Sequence, residues 1–173
     1  MILFVRHGQT DCNLNNIIQG HLDAPLNKIG ISQAKNTAIK LKDVKIDIIY
    51  SSPLIRAKKT ADIINGYHHC PIITDENLKE QNAGDATGMN EKDITEEMKT
   101  EFFNDPHKFN AESEEDLYQR TIQFFKNIEN VNKNILIVAH RGNYKAIYRY
   151  LNKLSSSEKV EGINNCEIKI LKR

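Results

Sequence analysis

Two unbroken apolar runs constrain this chain more than anything else in it. One is Ile2-Leu3-Phe4-Val5, followed by Arg6-His7-Gly8. The other is Ile135-Leu136-Ile137-Val138-Ala139, followed by His140-Arg141-Gly142. A strand with no polar face has to be covered on both sides, as strands are inside a parallel sheet packed between helix layers. Open sheets of that kind bind ligands beyond the C-terminal ends of their strands, where helix N-termini gather. Parallel pairing of the two runs would carry both histidines to one edge, each with an arginine beside it. That is a pocket for an anion with a nucleophile candidate inside it.

The remaining pattern fits the same architecture. Strands are expected over residues 2–5, 46–50, 71–74, 134–139 and 166–171. The last alternates, with Ile168 and Ile170 set against Glu167 and Lys169, as an edge strand does. Ile31, Ala34, Ala38 and Leu41 recur at helical spacing and predict a helix over 29–42. Leu54, Ala57, Ala61 and Ile64 predict a second. Leu117, Phe124, Ile128 and Val131 predict the longest, over 113–130, with Ser113 and Asp116 as a capped start. Tyr144, Ile147 and Leu151 predict another after His140. Residues 81–90 hold Gly84 and Gly88 without a period and are expected to be a loop bordering the site. Strands alternating with helices predict an α/β fold of three layers. Its central sheet is largely parallel, its helices cover both faces, and one edge strand is antiparallel. No linker or repeat divides the 173 residues, so a single domain over 1–173 is expected.

The formal net charge of +1 supplies no overall field for nucleic acid or a membrane surface, so attraction for anions is local. Cys12, Cys70 and Cys166 are widely spaced, and no Cys-x-x-Cys occurs. That pattern speaks against a disulfide framework or a zinc knuckle and fits idle thiols in a reducing compartment. The apolar residues before Arg6 are too few for a secretion signal, and no apolar stretch nears membrane-spanning length. A cytoplasmic protein without nucleic-acid or membrane partners is expected.

Gly8 lets the chain turn sharply off its strand and approach a ligand. A neutral imidazole beside it can attack phosphorus. Neighbouring guanidinium groups disfavour imidazolium, which keeps the lone pair free, and they offset the charge of a phosphate dianion. Phosphoryl transfer depends mostly on positioning and charge stabilisation, so several arginines around a nucleophile suit it. Ser51-Ser52-Pro53-Leu54-Ile55-Arg56 repeats the theme after another strand. Ser52 can cap a helix with Pro53 at its first position, which sets Arg56 in the first turn beside free N–H groups. A guanidinium there can grip two phosphate oxygens at once. His140 can donate to an equatorial oxygen as charge develops, and the N–H groups of Arg141 and Gly142 can add to the cradle. Taken singly, His7 could be a strand-end histidine satisfied by backbone and Arg56 a solvated surface arginine. No carboxylate or thiolate stands at ligand spacing from either histidine, so no metal is expected. His21, His68, His69 and His107 show no evident partners and are read as surface residues.

Together these motifs resemble the histidine phosphatase superfamily, also called the phosphoglycerate mutase-like family. The first matching block is Arg6-His7-Gly8-Gln9-Thr10 with Asn13. Gly20-x-x-Asp23-x-Pro25-Leu26 with Gly30, Gln33 and Ala34 follows. Then come Ser51-Ser52-Pro53-Leu54-x-Arg56-Ala57 with Thr60 and Ala61, and Leu78-Lys79-Glu80. Glu112-Ser113 with Asp116 and Arg120, and His140 after its strand, complete the order. The resemblance implies roles. His7 would be the phosphorylated nucleophile. Arg6, Asn13, Arg56 and His140 would hold the phosphate, and Gln19, Gly20 and Arg141 would line the entrance. Glu80 would protonate the leaving alkoxide and then act as base on water. A carboxyl beside a bound dianion keeps its proton more readily than one in water, which suits that work.

Three departures from the family pattern stand out. Residues 82–88 replace a loop usually rich in aromatics, which implies a more open mouth. Arg141 stands where glycine is common and adds a cation near the phosphate. Gln9 replaces the commoner glutamate. The resemblance implies a metal-independent, cofactor-free phosphomonoester hydrolase that acts through phosphohistidine on a small-molecule phosphomonoester. A mutase must shield its phosphohistidine from water beneath a substantial lid. Only residues 81–112 could form one, and their Asp, Glu and Asn content makes a poor cover for an anion. Phosphoglycerate mutase-type transfer is therefore the second reading. An idle phosphate-binding module is the third, and it would be expected to lack His7, Arg56, Glu80 or His140. The family's substrates include sugar phosphates, phosphoserine and phosphoglycerates. Neither the substrate nor the oligomeric state is legible in the sequence.

Overall fold

The computed structural model describes residues 1–172. One sheet contains β1 (Ile2–Arg6), β2 (Ile48–Ser51), β3 (Ile72–Thr74), β4 (Ile135–Ala139) and β5 (Ile168–Lys172), in the spatial order β3-β2-β4-β1-β5. β5 runs antiparallel to β1, and the other pairings are parallel. β4 is buried at every position and lies at the centre, with β1 and β2 on either side. Arg6 stands opposite Ala139 and Ser51 opposite Val138, so the three strands end within one residue of each other. His7, Ser52 and His140 are the next residues out. Backbone bonds keep them abreast: His7 N–H donates to Ala139 O at 3.0 Å and Ser52 N–H to Val138 O at 3.0 Å.

The helices are α1 (Asp11–Leu14), α2 (Lys28–Leu41), α3 (Ile55–Asn65), α4 (Glu96–Asn104), α5 (Glu114–Ile128) and α6 (Arg141–Asn152). Alternation along the strands divides the core between the two faces. Phe4, Ile135 and Ile137 pack with Phe124, Phe125, Ile128 and Ile147 of α5 and α6. Leu3, Val5, Leu136 and Val138 pack with Ala38, Leu41, Ala57, Ala61 and Ile64 of α2 and α3. The expected three layers are therefore present, with the antiparallel strand at the edge. No helix of the described residues is long and apolar enough to cross a membrane.

Local chemistry explains where the helices begin. Asn27 caps α2 by accepting the Gly30 N–H at 2.8 Å. Ser113 caps α5 as expected, in a reciprocal box with Asp116. α3 departs from expectation. It starts at Ile55 rather than Pro53, and Leu54 ahead of it offers no capping side chain. The Asp23 carboxylate, distant in sequence, accepts the Ile55 N–H at 2.6 Å instead. α1 and α4 were not anticipated. α1 is a single turn closed by the Thr10–Asn13 capping box, and α4 buries none of its residues, so no apolar stripe marks it. The loop expected over 81–90 contains one short turn of 3-10 helix, Gly84–Ala86.

The exit of β1 is shaped by two backbones in close approach. A Cβ on Gly8 would lie 2.5 Å from Gly30 O, and one on Gly30 would overlap Gln9 O. Gln33 Oε1 accepts the Gln9 N–H at 2.9 Å, and Thr60 Oγ1 accepts the Gly8 N–H at 3.0 Å. α2 and α3 thus brace the loop that carries His7.

Candidate active site

His7 and His140 meet at the sheet edge with ring centroids 5.0 Å apart and planes inclined at 57°. Both are buried. His7 Nδ1 lies 2.8 Å from Gly8 O. A carbonyl only accepts, so Nδ1 carries the hydrogen and the lone pair is on Nε2. Burial first, then the charges of Arg56 and Arg6, hold His7 well below the ordinary imidazole range; the Gly8 carbonyl opposes them and loses. Burial, followed by Arg56 and His7, depresses His140 in the same way. Both rings are neutral at pH 7.

Ser52 orients His140. Its Oγ lies 2.8 Å from His140 Nε2 and accepts the Leu54 N–H at 3.3 Å. With that N–H received, the hydroxyl hydrogen can point at Nε2, which puts the His140 hydrogen on Nδ1. Nδ1 is buried without a protein partner, and so are Arg6 Nε and Arg56 Nε. Buried donors without acceptors are costly. Unmatched N–H groups on three residues beside a neutral imidazole make a receptor for an anion with several oxygens. Ser52 was read as a helix cap. The structure gives it to the turn ahead of α3, through the Leu54 N–H, and to His140.

The arginines are held from behind. Arg56 is fully buried. Its Nη1 donates to Leu22 O at 2.7 Å and its Nη2 to Gly20 O at 2.9 Å. Burial lowers its pKa to about 10, which leaves it charged at neutral pH. Arg6 Nη1 donates to Ile163 O at 2.9 Å, and burial lowers its pKa too. The stretch ahead of β5 braces this strand end: Asn165 Nδ2 donates to His7 O at 2.9 Å, and Cys166 N–H donates to Arg6 O at 2.9 Å. Burial pushes the Cys166 thiol up to about 12, so it stays protonated. All three cysteines are free.

Glu80 reaches the same edge. Its Oε1 accepts the Gln81 N–H at 3.0 Å and the Gly142 N–H at 3.2 Å. The Gly142 N–H, expected to join a phosphate cradle, therefore serves this carboxylate at the N-terminus of α6. Leu78, fully buried, roots the turn before Glu80 in the core. Arg120 then clamps the loop. It pairs with Glu112 through Nε at 2.7 Å and Nη2 at 2.8 Å, and donates to the carbonyls of Asn77 and Lys79 at 2.8 Å and of Glu80 at 2.9 Å. Buried Asn143 ties the start of α6 to the same loop, donating to Lys79 O at 3.1 Å and accepting the His140 N–H at 3.2 Å.

The other expected residues lie around this centre. Asn13 Oδ1 accepts the Thr10 N–H at 3.1 Å, which leaves its amide N–H groups to address a ligand. Gln19 Oε1 accepts from the Thr10 hydroxyl at 2.9 Å. Gly20, at φ +46°, presses against Ala83 of the 81–112 segment. Arg141 is exposed. Among the histidines read as surface residues, His69 is exposed. His21 is half-buried in the wall of the site, where its Nε2–H donates to Glu80 O at 2.8 Å. His68 is half-buried, and His107 lies 3.4 Å from Asp116. These contacts join segments far apart in the chain, which spacing alone does not reveal.

The sequence profile of the histidine phosphatase superfamily (branch 1) matches residues 2–173. The uncharacterised phosphatase PhoE of Bacillus subtilis strain 168 is 40% identical over 159 residues, 91% of this chain and 78% of that protein. A metal-independent phosphoserine phosphatase of Arabidopsis thaliana is 33% identical over 170 residues, 92% of this chain and 71% of that one. The solved structure of a mycobacterial glucosyl-3-phosphoglycerate phosphatase with VO3 has TM-score 0.85 and 27% identity, covering 96% of this chain and 90% of that one.

Proposed function

The chain belongs to the histidine phosphatase superfamily, and from that membership we propose a metal-independent phosphomonoester hydrolase that works through phosphohistidine on a small phosphorylated metabolite. The observation that carries this reading is a buried, neutral His7 with its lone pair on Nε2 among unpaired N–H donors of Arg6, Arg56 and His140. Those three residues take the phosphoryl oxygens, with the Asn13 amide beside them. Nε2 attacks phosphorus, the bond from phosphorus to the alcohol oxygen breaks, and protonated Glu80 gives its proton to that oxygen. The Gln81 and Gly142 N–H groups hold Oε1 at 3.0 and 3.2 Å, while Oε2 lies 3.5 Å from the Gly142 N–H and is the freer oxygen for passing a proton. The ring gains positive charge in this step, and its Nδ1–H bond to Gly8 O strengthens as it does. Water then attacks phosphorus and passes a proton to Glu80. The P–N bond breaks, releasing inorganic phosphate and neutral His7.

Hydrolysis is favoured over transfer by the 81–112 segment. Its ends are pinned together beside Glu80, where Gln81 Nε2 donates to Glu112 O at 2.8 Å and Asn82 N–H to Glu112 Oε2 at 2.8 Å. It carries more Asp and Glu than Lys, and its helix α4 buries nothing. A cover of that kind neither attracts a bisphosphate nor seals phosphohistidine from water. The test is a panel of phosphomonoesters assayed with and without a chelator. Phosphate release unaffected by the chelator is expected, and release that the chelator abolishes overturns the mechanism. Interconversion of 2- and 3-phosphoglycerate, primed with 2,3-bisphosphoglycerate and faster than hydrolysis, would make the protein a mutase.

Two further results are expected. Ser52→Ala leaves His140 free to place its hydrogen on either nitrogen. It should lower kcat by about tenfold to a hundredfold, less than the roughly 10²–10³ lost when such a donor is removed outright. Ser52→Thr, which keeps the hydroxyl, should restore most of the loss, whereas a purely packing role would leave kcat near wild type in both. The second result concerns acid stability. The folded state holds His7 neutral below the ordinary value of 6.5. Below pH 6.5 the unfolded chain therefore binds more protons, so the stability this residue contributes is complete above that pH and lost as pH falls toward the depressed folded value. Urea unfolding should show a His7→Gln protein losing about 1 kcal/mol less than wild type between pH 6.5 and 5.5. Equal losses would mean that His7 is not held neutral by the fold.

A further inference from the structure

Resting on the phosphatase reading, we propose that the substrate carries a second anionic group on its alcohol portion and that Arg141 receives it. Arg141 opens α6 directly after His140 and is exposed. Its guanidinium lies flat over the chain at Gly162. A Cβ on that glycine would come within 2.7 Å of Cζ and Nη2 and would overlap Nε. The next carbonyl, Ile163 O, anchors Arg6 Nη1 at 2.9 Å. Consecutive residues of one stretch therefore seat two guanidinium groups, one turned into the phosphate pocket and one left at its lip.

Among the described residues the Arg141 charge lacks a partner: Arg120 is matched by Glu112 and Lys79 by Glu76, but no carboxylate forms an ion pair with Arg141. It also repels Arg6, whose protonation it disfavours. An unpaired cation held beside another cation is stabilised when an anion arrives. A guanidinium grips the oxygens of a carboxylate or a phosphate equally well in two-point fashion, so the shared chemistry is a second oxyanion.

Matched substrates separate the two sources. Glycerol 3-phosphate and 3-phosphoglycerate differ by one carboxylate, and fructose 6-phosphate and fructose 1,6-bisphosphate by one phosphate. Wild type should favour the anionic member of at least one pair by about tenfold in kcat/KM. Arg141→Met should reduce that preference to about twofold or less. Gly162→Ala keeps the charge but fills its seat, and it should lower the preference as well. An equal loss on both members in Arg141→Met, or no preference in wild type, overturns the inference and leaves the phosphatase reading standing. If wild type hydrolyses none of the four, the phosphatase reading is judged by the wider substrate panel, and calorimetry on the His7→Ala protein decides the subsite. Binding of 3-phosphoglycerate or fructose 1,6-bisphosphate tighter than its partner, with the difference erased by adding Arg141→Met, supports it; equal binding overturns it.

Discussion

His7→Ala should abolish turnover, lowering phosphate release by at least about a thousandfold on every phosphomonoester, the usual scale for losing a covalent nucleophile. The size of the effect follows from what else is within reach. His140 cannot substitute, because Ser52 occupies its Nε2 and its remaining nitrogen carries a hydrogen. Cys166, with its thiol pushed up to about 12, supplies no thiolate at neutral pH. The variant should still fold. The lost ring had one side-chain hydrogen bond, to the neighbouring Gly8 carbonyl, and Arg6 and Arg56 keep their own anchors. Inorganic phosphate should therefore still bind, as calorimetry can show, while kcat disappears. Retention of a tenth or more of the activity would mean that another group attacks phosphorus.

Arg56→Met is expected to cost both activity and stability. The guanidinium is fully buried and donates to two carbonyls of the loop after Gln19. Methionine fills much of the space but leaves Gly20 O and Leu22 O without donors, at about 1–3 kcal/mol for each group that water cannot reach. A drop of roughly 2–4 kcal/mol in unfolding free energy is the expected reading from urea titration. The kinetic loss should be larger than stability explains. An arginine that stabilises a transferring phosphoryl group is worth about 10³–10⁵ in kcat. Activity should therefore stay at least about a thousandfold down under conditions where the variant is wholly folded. Near-normal kcat in folded Arg56→Met would remove this residue from phosphoryl stabilisation and leave it a structural role.

Much of this was legible in the sequence because it is written in local chemistry. The two apolar runs announced buried strands, and their parallel pairing put His7 and His140 at one edge. Ser113 and Asp116 announced the start of α5 because capping is a contact across three residues. The parts that escaped depend on contacts across long separations. Ser52 looked like a helix cap, and its second partner stands at the end of another strand, 88 residues away. Asp23, which caps α3 from 32 residues off, carried no signal beyond its place in a family block. Arg120 likewise carried no signal beyond its place in a family block; only the fold shows it gripping Glu112 and three carbonyls around Glu80. His21 looked unpartnered for the same reason. The extents of β2 and β5 fell a residue or two away from expectation, because hydrogen-bond register rather than composition sets where a strand begins and ends.

The most direct test is to quench the enzyme during turnover of a ³²P-labelled phosphomonoester and map the label. Phosphate bound to His7 through Nε2, labile to acid, stable to base and absent from the His7→Ala protein, is the expected result. Label on another residue, or no covalent label while product forms in a burst, would contradict it.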